Sequence, residues 1–169
     1  LMSDSFTSSC FRKLSDIEKI SADHLETKNS YPAIIIPFRN RSVHLRKLKE
    51  WFIDFFENHK YSLYVIEQDD DKKFNRGFLL NVGCKIASET KNHTHYIFHD
   101  VDSLPGKELL PFYKHIPPEK TLLHIASPEY YEKYSFYAFL GGVTSVNKKT
   151  NELVNGYSNS FRGWGGEDD

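Results

Sequence analysis

The amino-acid sequence predicts an α/β fold with a mostly parallel central sheet and helices on both faces. Short apolar runs rich in β-branched residues alternate with amphipathic stretches of helical period, and turn residues or charges end each run. Strands that alternate with helices usually join into a doubly wound parallel sheet. In such a sheet, ligands bind at the carboxyl ends of the strands.

The predicted elements follow one another in a regular order. Residues 1–30 form an irregular polar segment with one weak helical stretch at Leu14 to Ile20. Strands are predicted at residues 31–38, 62–68, 95–102, 121–127 and 139–146, and helices after Ser42, from Asn75 to about Glu89 and from Lys148 to Leu153. No repeat, low-complexity tract or linker interrupts residues 31–169, so these residues are expected to form a single domain.

Local sequence signals support these elements. The run YPAIIIPF (31–38) is β-branched and is expected to end at Pro37, which has no N–H to donate to a neighbouring strand. Ser42 can cap the first helix with its side-chain oxygen. The 3.6-residue period predicts the buried faces, which are Leu45, Leu48, Phe52 and Phe55 in the first helix and Phe78, Leu79, Val82 and Ile86 in the second.

Composition and charge limit the classes of function. With 169 residues, of which 39% are hydrophobic, the chain can bury a core of ordinary size. A net charge of −1 provides no basic field, so no nucleic-acid partner is expected. Two cysteines, Cys10 and Cys84, are too few for a disulfide scaffold or a cysteine metal site, and their pairing is left open. No apolar run has membrane-spanning length.

Polar clusters follow three of the predicted strands. PFRNR ends the first strand, EQDDD the second and HDVDS the third. In an extended segment Asp100 and Asp102 would point to the same side, which is costly for two like charges. The pair is therefore either a solvated turn or the site of a divalent cation that holds a phosphate, because hard cations prefer carboxylate oxygens.

Three arginines near these clusters could bind phosphate or hydroxyl groups. Arg39, Arg41 and Arg76 offer planar donor forks, although each could also be a solvated loop charge. The sequence has neither the glycine-rich dinucleotide fingerprint nor a Walker-type loop. A nucleotide would therefore be held by side chains and a metal rather than by a glycine turn.

The last residues, FRGWGGEDD (161–169), form another unusual stretch. Glycines on both sides of Trp164 make the backbone pliable, as in a loop that closes over a ligand. Glu167, Asp168 and Asp169 place three acids beside this ring. The stretch is either a disordered tail or a general base next to a ring that stacks on a sugar.

Five stretches, in this order, resemble the β-1,4-galactosyltransferase family (glycosyltransferase family 7): IIIPFRNR, FNRG, HDVDSLP, FLGGVTSV and WGGEDD. The resemblance runs from about Tyr31 to Asp169. Each motif is weak alone, but the ordered set is specific. LNVG, HDVD, HIASPE and NGYSNSFRGWG are most similar to the xylosylprotein branch, which adds galactose to xylose in the linker of proteoglycan glycosaminoglycans.

The resemblance implies a Rossmann-like GT-A fold in residues 31–169, UDP-galactose as donor, Mn²⁺ as cofactor and inversion at the sugar carbon. The partners it implies are a nucleotide sugar and an acceptor glycan or glycoprotein. It also implies a location in the Golgi lumen, as the catalytic domain of a type II membrane protein whose anchor is not in this chain.

The site residues of the family carry over by position. The residues expected to contact the nucleotide sugar are Pro37, Phe38, Arg39, Arg41, Phe74, Arg76, Asp100, Val101, Gly141, Gly142 and the lid residue Trp164. Asp102 matches the metal-ligating aspartate. Glu167 and Asp168 match the catalytic acidic pair, with Asp168 as the base. The residues expected to contact the acceptor are Tyr134, Phe136, Trp164, Asp168 and Asp169.

Two departures from the family pattern keep alternatives open. The family continues past EDD with a flexible loop and a metal-ligating histidine, whereas this sequence stops at Asp169, so the resemblance implies a catalytic domain truncated at its C-terminal end. Phe136 and Phe139 stand where the xylosylprotein branch has tyrosines. The alternatives are a chondroitin-type N-acetylgalactosaminyltransferase and a carbohydrate-binding relative that has lost turnover.

Overall fold

The computed structural model describes Leu25, residues 27–126 and residues 140–163. The elements in chain order are β1 (Pro32–Phe38), α1 (Ser42–Phe56), β2 (Ser62–Glu67), α2 (Arg76–Thr90), β3 (His95–His99), a 3-10 turn (Lys107–Leu109), α3 (Leu110–Lys114), β4 (Leu122–His124), β5 (Val143–Asn147) and α4 (Lys148–Leu153). The predicted helical stretch at Leu14 to Ile20 lies outside the described residues. The alternation of strands and helices confirms the α/β class.

The strands form one five-stranded sheet in the order β2-β1-β3-β5-β4. β1 pairs in parallel with β2 and β3, whereas β5 pairs antiparallel with β3 and β4. Four of these strands therefore run in one direction, and β5 runs against them. The mostly parallel sheet is confirmed, but the reversal of β5 is not predicted, because the composition of a strand carries no information about its direction.

β1 continues one residue past its predicted end at Pro37. Phe38 still pairs with Glu67 of β2, and its carbonyl accepts a hydrogen bond from the Gln68 amide at 3.0 Å. β3 pairs with β1 only as far as Ile35. Successive residues of a strand direct their backbone polar groups to opposite sides, so the nitrogen of Pro37 faces the side where β3 no longer pairs. Proline therefore removes no hydrogen bond from the sheet.

One face of the sheet is packed by α1 and α3, and we call it the α1 face. Ser42 is the first residue of α1 rather than its cap, because the helix begins directly after Arg41, and no side chain caps it. The predicted apolar face of α1 is confirmed. The core here is built mainly of large side chains and includes Ile34, Ile36, Leu48, Phe52, Phe55, Phe56, Ile97 and Tyr113.

The opposite face, the α2 face, is packed by α2. Asn75 caps this helix by accepting a hydrogen bond from the Phe78 amide at 2.9 Å. The predicted apolar face of α2 is wrong in part, because Leu79 is buried but Phe78 and Ile86 are exposed. The buried residues of the helix include Leu79, Leu80, Gly83, Cys84 and Ala87.

Close packing explains which side of α2 faces the sheet. A Cβ atom placed on Gly83 would lie 2.3 Å from Cγ2 of Ile35 and 3.1 Å from Cγ1 of Ile66. A side chain at this position would therefore prevent the helix from approaching β1 and β2 so closely. The small residues face the sheet and the large Phe78 and Ile86 face away from it, which periodicity and size do not predict.

The last two strands differ from the bounds predicted for them. β4 keeps three residues of the strand predicted at 121–127, and β5 begins at Val143 rather than at residue 139. Gly142 has a φ of +76°, a conformation outside the strand region, so the strand cannot begin before it. Within the described ranges, no helix is long and apolar enough to cross a membrane.

Candidate functional site

The loops that follow β1, β2 and β3 (residues 39–41, 68–75 and 100–106) lie along one edge of the sheet, which we call the rim. β1 is a parallel neighbour of both β2 and β3, so the carboxyl ends of the three strands lie side by side. β5 runs the other way, so Gly141 and Gly142, which precede it, reach the same rim. The three predicted polar clusters are therefore brought to one edge.

A salt bridge at the rim joins Arg76 to Asp100. Arg76 is the first residue of α2, and its Nε and Nη2 atoms both lie 3.0 Å from Oδ1 of Asp100. The arginine side chain is 10% exposed and the aspartate side chain 35%. Each charge thus has an opposite partner in a partly desolvated place, where an unpaired charge would be costly.

Asp102 has different surroundings from Asp100. β3 ends at His99, and the Ser103 amide donates to the Asp100 carbonyl at 3.2 Å. Residues 100–103 therefore form a turn, called here the aspartate turn, and the strand predicted over residues 95–102 is too long. The two carboxylates do not lie side by side on an extended segment; Asp102 is exposed in the turn.

The aspartate turn is held from several parts of the molecule. The Asp100 amide donates to the Gly142 carbonyl at 2.9 Å. Nδ1 of the buried His99 lies 2.8 Å from the Asp100 carbonyl oxygen. Two residues beyond the turn, Nε1 of Trp51 in α1 donates to the Pro105 carbonyl at 2.9 Å. A turn fixed at these points presents its exposed carboxylate in a defined position.

His99 has a defined tautomer because its ring is neutral. Burial lowers the pKa of His99 to about 4. A neutral imidazole has one donor and one acceptor nitrogen, and the Asp100 carbonyl can only accept, so Nδ1 carries the proton. Nε2 therefore accepts a hydrogen bond from the Tyr113 hydroxyl, at 2.8 Å.

Arg39 joins the loops that follow β1 and β2. Its guanidinium lies 5.3 Å from the centre of the Phe74 ring, and its Nη1 atom donates to the Lys72 carbonyl at 2.6 Å. The structure thus brings Arg39 and Phe74 together, both expected to contact the nucleotide. Arg41 is exposed and lines an open depression of about 470 Å³ formed by residues 40–44.

Residues 155–163, called here the strap, lie across the beginning of α2. The Asn81 side chain pairs with the backbone of Tyr157 as a neighbouring strand would, since Oδ1 accepts from the amide at 3.0 Å and Nδ2 donates to the carbonyl at 2.7 Å. At the end of the strap, the Gly163 amide donates to the Phe74 carbonyl at 2.8 Å. The strap therefore connects α2 to the rim.

Other predicted site residues lie in the core or outside the described part of the chain. Pro37 is buried in β1, and Phe38 and Val101 belong to the core of the α1 face. Tyr134, Phe136, Trp164, Glu167, Asp168 and Asp169 lie outside the described residues, so their expected roles stay predictions.

Sequence reasoning missed three residues that support the rim: Gln68, Asn81 and His99. Gln68 holds the loop after β2, because its Oε1 atom accepts from the Asn75 amide at 2.8 Å. Gln68 bonds to a backbone group of its own loop, Asn81 to the strap and His99 to the residue that follows it. None of these contacts leaves a periodic pattern in the sequence. The preference of asparagine for helix N-caps is a sequence signal at the rim, but it marks Asn75 and none of these three residues.

Asp102 is a residue of the rim that could hold a divalent cation. No group of three or more His, Cys, Asp or Glu side chains within residues 27–126 and 140–163 forms a metal site. A single exposed carboxylate fits a hard cation that takes its remaining ligands from substrate phosphates and water. Of the two carboxylates in the aspartate turn, Asp100 is paired with Arg76 and Asp102 is the exposed one.

The reversed β5 in an otherwise parallel sheet, with acids and arginines at the carboxyl ends of its strands, is consistent with the expected Rossmann-like GT-A fold. Solved structures confirm this class. The chain aligns with a mutant of Drosophila β-1,4-galactosyltransferase 7 in complex with manganese, UDP-Gal and xylobiose, with a TM-score of 0.75 and 32% identity over 83% of this chain and 58% of that chain.

Family comparison identifies the group within this class. Residues 12–113 match the N-terminal region of glycosyl transferase group 7, and residues 121–169 match the N-terminal domain of galactosyltransferase. The chain therefore belongs to the glycosyltransferase group 7 family, that of the β-1,4-galactosyltransferases, which confirms the resemblance found in its motifs.

Individual relatives come from more than one branch of this family. Human β-1,4-galactosyltransferase 4 is 41% identical over 139 residues, which is 81% of this chain and 40% of that protein. Human β-1,4-galactosyltransferase 7 is 39% identical over 140 residues (81% and 41%), and the xylosylprotein 4-β-galactosyltransferase of Caenorhabditis elegans is 34% identical over 147 residues (86% and 50%). The chain thus spans half or less of the length of these relatives, and identity alone does not select a branch.

Proposed function

We propose that this chain is the catalytic part of a metal-dependent, inverting β-1,4-galactosyltransferase. It moves galactose from UDP-galactose to the 4-hydroxyl of an acceptor sugar, and that acceptor is the xylose of a proteoglycan linker in the Golgi lumen. Family membership supports the reaction class. The observation that supports the proposal most is the division of roles after β3, where Asp100 is paired with Arg76 and Asp102 is exposed.

The donor is held by side chains of the rim. The Arg39 guanidinium above the Phe74 ring forms a flat platform suited to a uracil base. Arg41, two residues further along the same loop, is exposed, and its donor fork can bind a phosphate or a ribose hydroxyl. Gly142, which has a positive φ and whose Cβ position lies 3.0 Å from Ala126, lets the backbone approach the sugar closely.

Asp102 would hold Mn²⁺ together with the diphosphate oxygens of the donor. When bound, the cation supplies positive charge that stabilises UDP as a leaving group. Asp100 instead binds Arg76, which fixes the start of α2 against the aspartate turn. The two carboxylates therefore do different work although one residue separates them.

Asp168 is the proposed base. Its carboxylate takes the proton of the acceptor 4-hydroxyl while the hydroxyl oxygen bonds to C1 of galactose and the bond from C1 to the diphosphate oxygen breaks. Attack from the side opposite to the diphosphate inverts the sugar carbon. The strap ends at Gly163, whose amide is bonded to the Phe74 carbonyl of the rim. Glu167 is the proposed second member of the catalytic acidic pair and Trp164 the proposed lid residue. The proposed acceptor contacts are Tyr134, Phe136, Trp164, Asp168 and Asp169.

Calorimetry of UDP binding tests the metal site. Asp102→Asn is expected to abolish the Mn²⁺-dependent part of the UDP affinity without unfolding the protein, because a neutral amide lacks the charge that holds a divalent ion. Glu50→Gln is the matched control, since it removes an exposed carboxylate from α1. Unchanged Mn²⁺-dependent affinity in Asp102→Asn would contradict the assignment.

Transfer assays test the base and the acceptor. Asp168→Asn is expected to lower the transfer rate by roughly 10²–10⁴-fold, the usual contribution of a positioned acid–base group, with UDP binding retained. The wild-type protein is expected to galactosylate a β-xyloside in preference to N-acetylglucosamine. The reverse preference would overturn the acceptor but not the base, and UDP binding without any transfer would favour a carbohydrate-binding relative.

A further inference from the structure

His99 is a polar side chain among aromatic ones. It is fully buried, and its ring lies 5.3 Å from that of Phe52, edge to face. Burying an imidazole in such surroundings is costly unless both nitrogens are hydrogen-bonded. Tyr113 satisfies Nε2 and the Asp100 carbonyl satisfies Nδ1. An apolar side chain could fill this space at a lower desolvation cost, so packing alone does not explain the histidine.

The Asp100 carbonyl joins His99 to the candidate metal site. This oxygen receives the Nδ1 proton of His99 at 2.8 Å and the amide proton of Ser103 at 3.2 Å. The second of these bonds closes the aspartate turn, in which Asp102 is exposed. Nδ1 of His99, a donor from the core, therefore fixes the Asp100 carbonyl oxygen to which the Ser103 amide binds. Fixing this oxygen also fixes the course of the backbone through Asp102.

We propose that His99 is a positioning residue, which holds the aspartate turn in the conformation that lets Asp102 bind a divalent cation. The part that concerns the cation rests on the proposed function. Tyr113 completes the arrangement, because its hydroxyl donates to Nε2 and thereby keeps the proton on Nδ1, where the turn needs it. His99 touches neither the cation nor the substrate, and it acts only through the backbone of Asp100.

Two substitutions separate positioning from packing. Asparagine places an amide N–H near the position of Nδ1 of histidine, so His99→Asn retains a donor for the Asp100 carbonyl. Glutamine places its amide near the position of Nε2, so His99→Gln retains a partner for Tyr113 but leaves the Asp100 carbonyl without its core donor. Both variants lose the ring and both are destabilised, which makes each the control for the other.

The first readout needs no metal. Amide hydrogen exchange at Ser103 reports the bond that closes the turn, and it is expected to be faster in His99→Gln than in His99→Asn. The second readout is the Mn²⁺ concentration that half-saturates UDP binding. It is expected to rise about 10–100-fold in His99→Gln, as for residues that orient metal ligands, and to rise much less in His99→Asn.

The outcomes separate this proposal from the proposed function. Equal exchange at Ser103 in the two variants, or an equal loss of Mn²⁺ affinity, would overturn the positioning role. If Ser103 exchange separates the variants but the wild-type protein shows no Mn²⁺-dependent UDP binding, the proposed function is wrong and the metal part of this proposal falls with it. If neither variant folds, Tyr113→Phe replaces them: it keeps His99, and slower or unchanged Ser103 exchange would overturn the proposal.

Discussion

The two faces of the sheet are packed in opposite ways. On the α1 face, the rings of Phe52, Phe55 and Phe56 lie 5.0 to 6.2 Å apart and fill the space between helix and sheet. On the α2 face, Gly83 lets the helix approach Ile35 so closely that no such space exists. The α1 face can therefore be damaged by removing volume, and the α2 face by adding it.

This difference bears on the rim. α2 carries Arg76 at its first residue and binds the strap through Asn81. The positions of Arg76 and of the strap therefore depend on the packing of the α2 face. The α1 face instead supports the aspartate turn through His99 and through Trp51. Each side of the candidate site thus depends on a different kind of packing.

The substitution with the largest expected effect tests the packing of the α1 face. Phe52→Ala removes a fully buried ring and is expected to lower the free energy of unfolding by about 3–5 kcal/mol, because a cavity remains where several rings met. Denaturant titration measures the change. Ile53→Ala, on the same helix at a side chain that is 71% exposed, is the matched control and should stay within about 0.5 kcal/mol of wild type.

Low pH is expected to lower the free energy of unfolding through the protonation of His99, which is buried in the α1 face. Its pKa is about 4 in the folded protein and near 6.5 in the unfolded chain, so its share of stability is complete above about pH 6.5 and is lost as the pH falls toward 4. At roughly 1.4 kcal/mol per pKa unit, the loss approaches about 3 kcal/mol. The pH dependence of the unfolding free energy is expected to be shallower in His99→Asn than in the control His44→Asn, which removes an exposed histidine of α1. Equal slopes in the two variants would contradict this.

Adding one methyl group tests the α2 face. Gly83→Ala is expected to destabilise the protein by about 1–3 kcal/mol through overpacking, although alanine is the better helix former by roughly 1 kcal/mol. The clash is with Cγ2 of Ile35. In an Ile35→Leu background, which lacks that methyl group, the same substitution should cost less. A double-mutant cycle measures the coupling, and additive effects would show that the two residues do not compete for space.

The smallest expected effect concerns the strap. Asn81→Ala removes the two hydrogen bonds to the backbone of Tyr157 and should cost about 1–2 kcal/mol, because partly buried peptide groups lose their partners. Phe78→Ala, on the same helix at an exposed side chain, is the control and should change the unfolding free energy by less than about 0.5 kcal/mol. Equal effects of the two substitutions would mean that the strap does not depend on α2.

Much of the fold could be predicted because strands and most helices follow from periodicity. The apolar face predicted for α1 is correct, since large residues at helical spacing do fill the core of the α1 face. The same rule fails on α2, where Phe78 and Ile86 are exposed and Gly83 is buried. Whether a face is packed by large or small residues depends on the distance between helix and sheet, which the sequence of one element does not contain.

The candidate site could be predicted as a rim but not as a set of contacts. The sequence correctly predicts that the acids, Arg39 and Arg41 follow the carboxyl ends of parallel strands. The different surroundings of Asp100 and Asp102 depend on where β3 ends and on Arg76, which lies 24 residues before Asp100. The support from Asn81 depends on the distant Tyr157, and that from His99 depends on its burial against Tyr113, so both appear only when the chain is folded.

The reversal of β5 has a consequence for how much the sequence between β4 and β5 can vary. Residues 127–139, which include Tyr134 and Phe136, begin after Ala126 and end before β5, and the Ala126 amide is bonded to the Val143 carbonyl at 3.1 Å. The described residues on either side of this range therefore lie close together at the rim, where Nε2 of His124 also lies 2.9 Å from the Gly141 carbonyl oxygen. Doubling the length of a flexible segment that joins two fixed points raises the free-energy cost of closing it by only about 0.6 kcal/mol. Segments of different length and composition could then replace one another between Ala126 and Leu140 while the sheet stays the same.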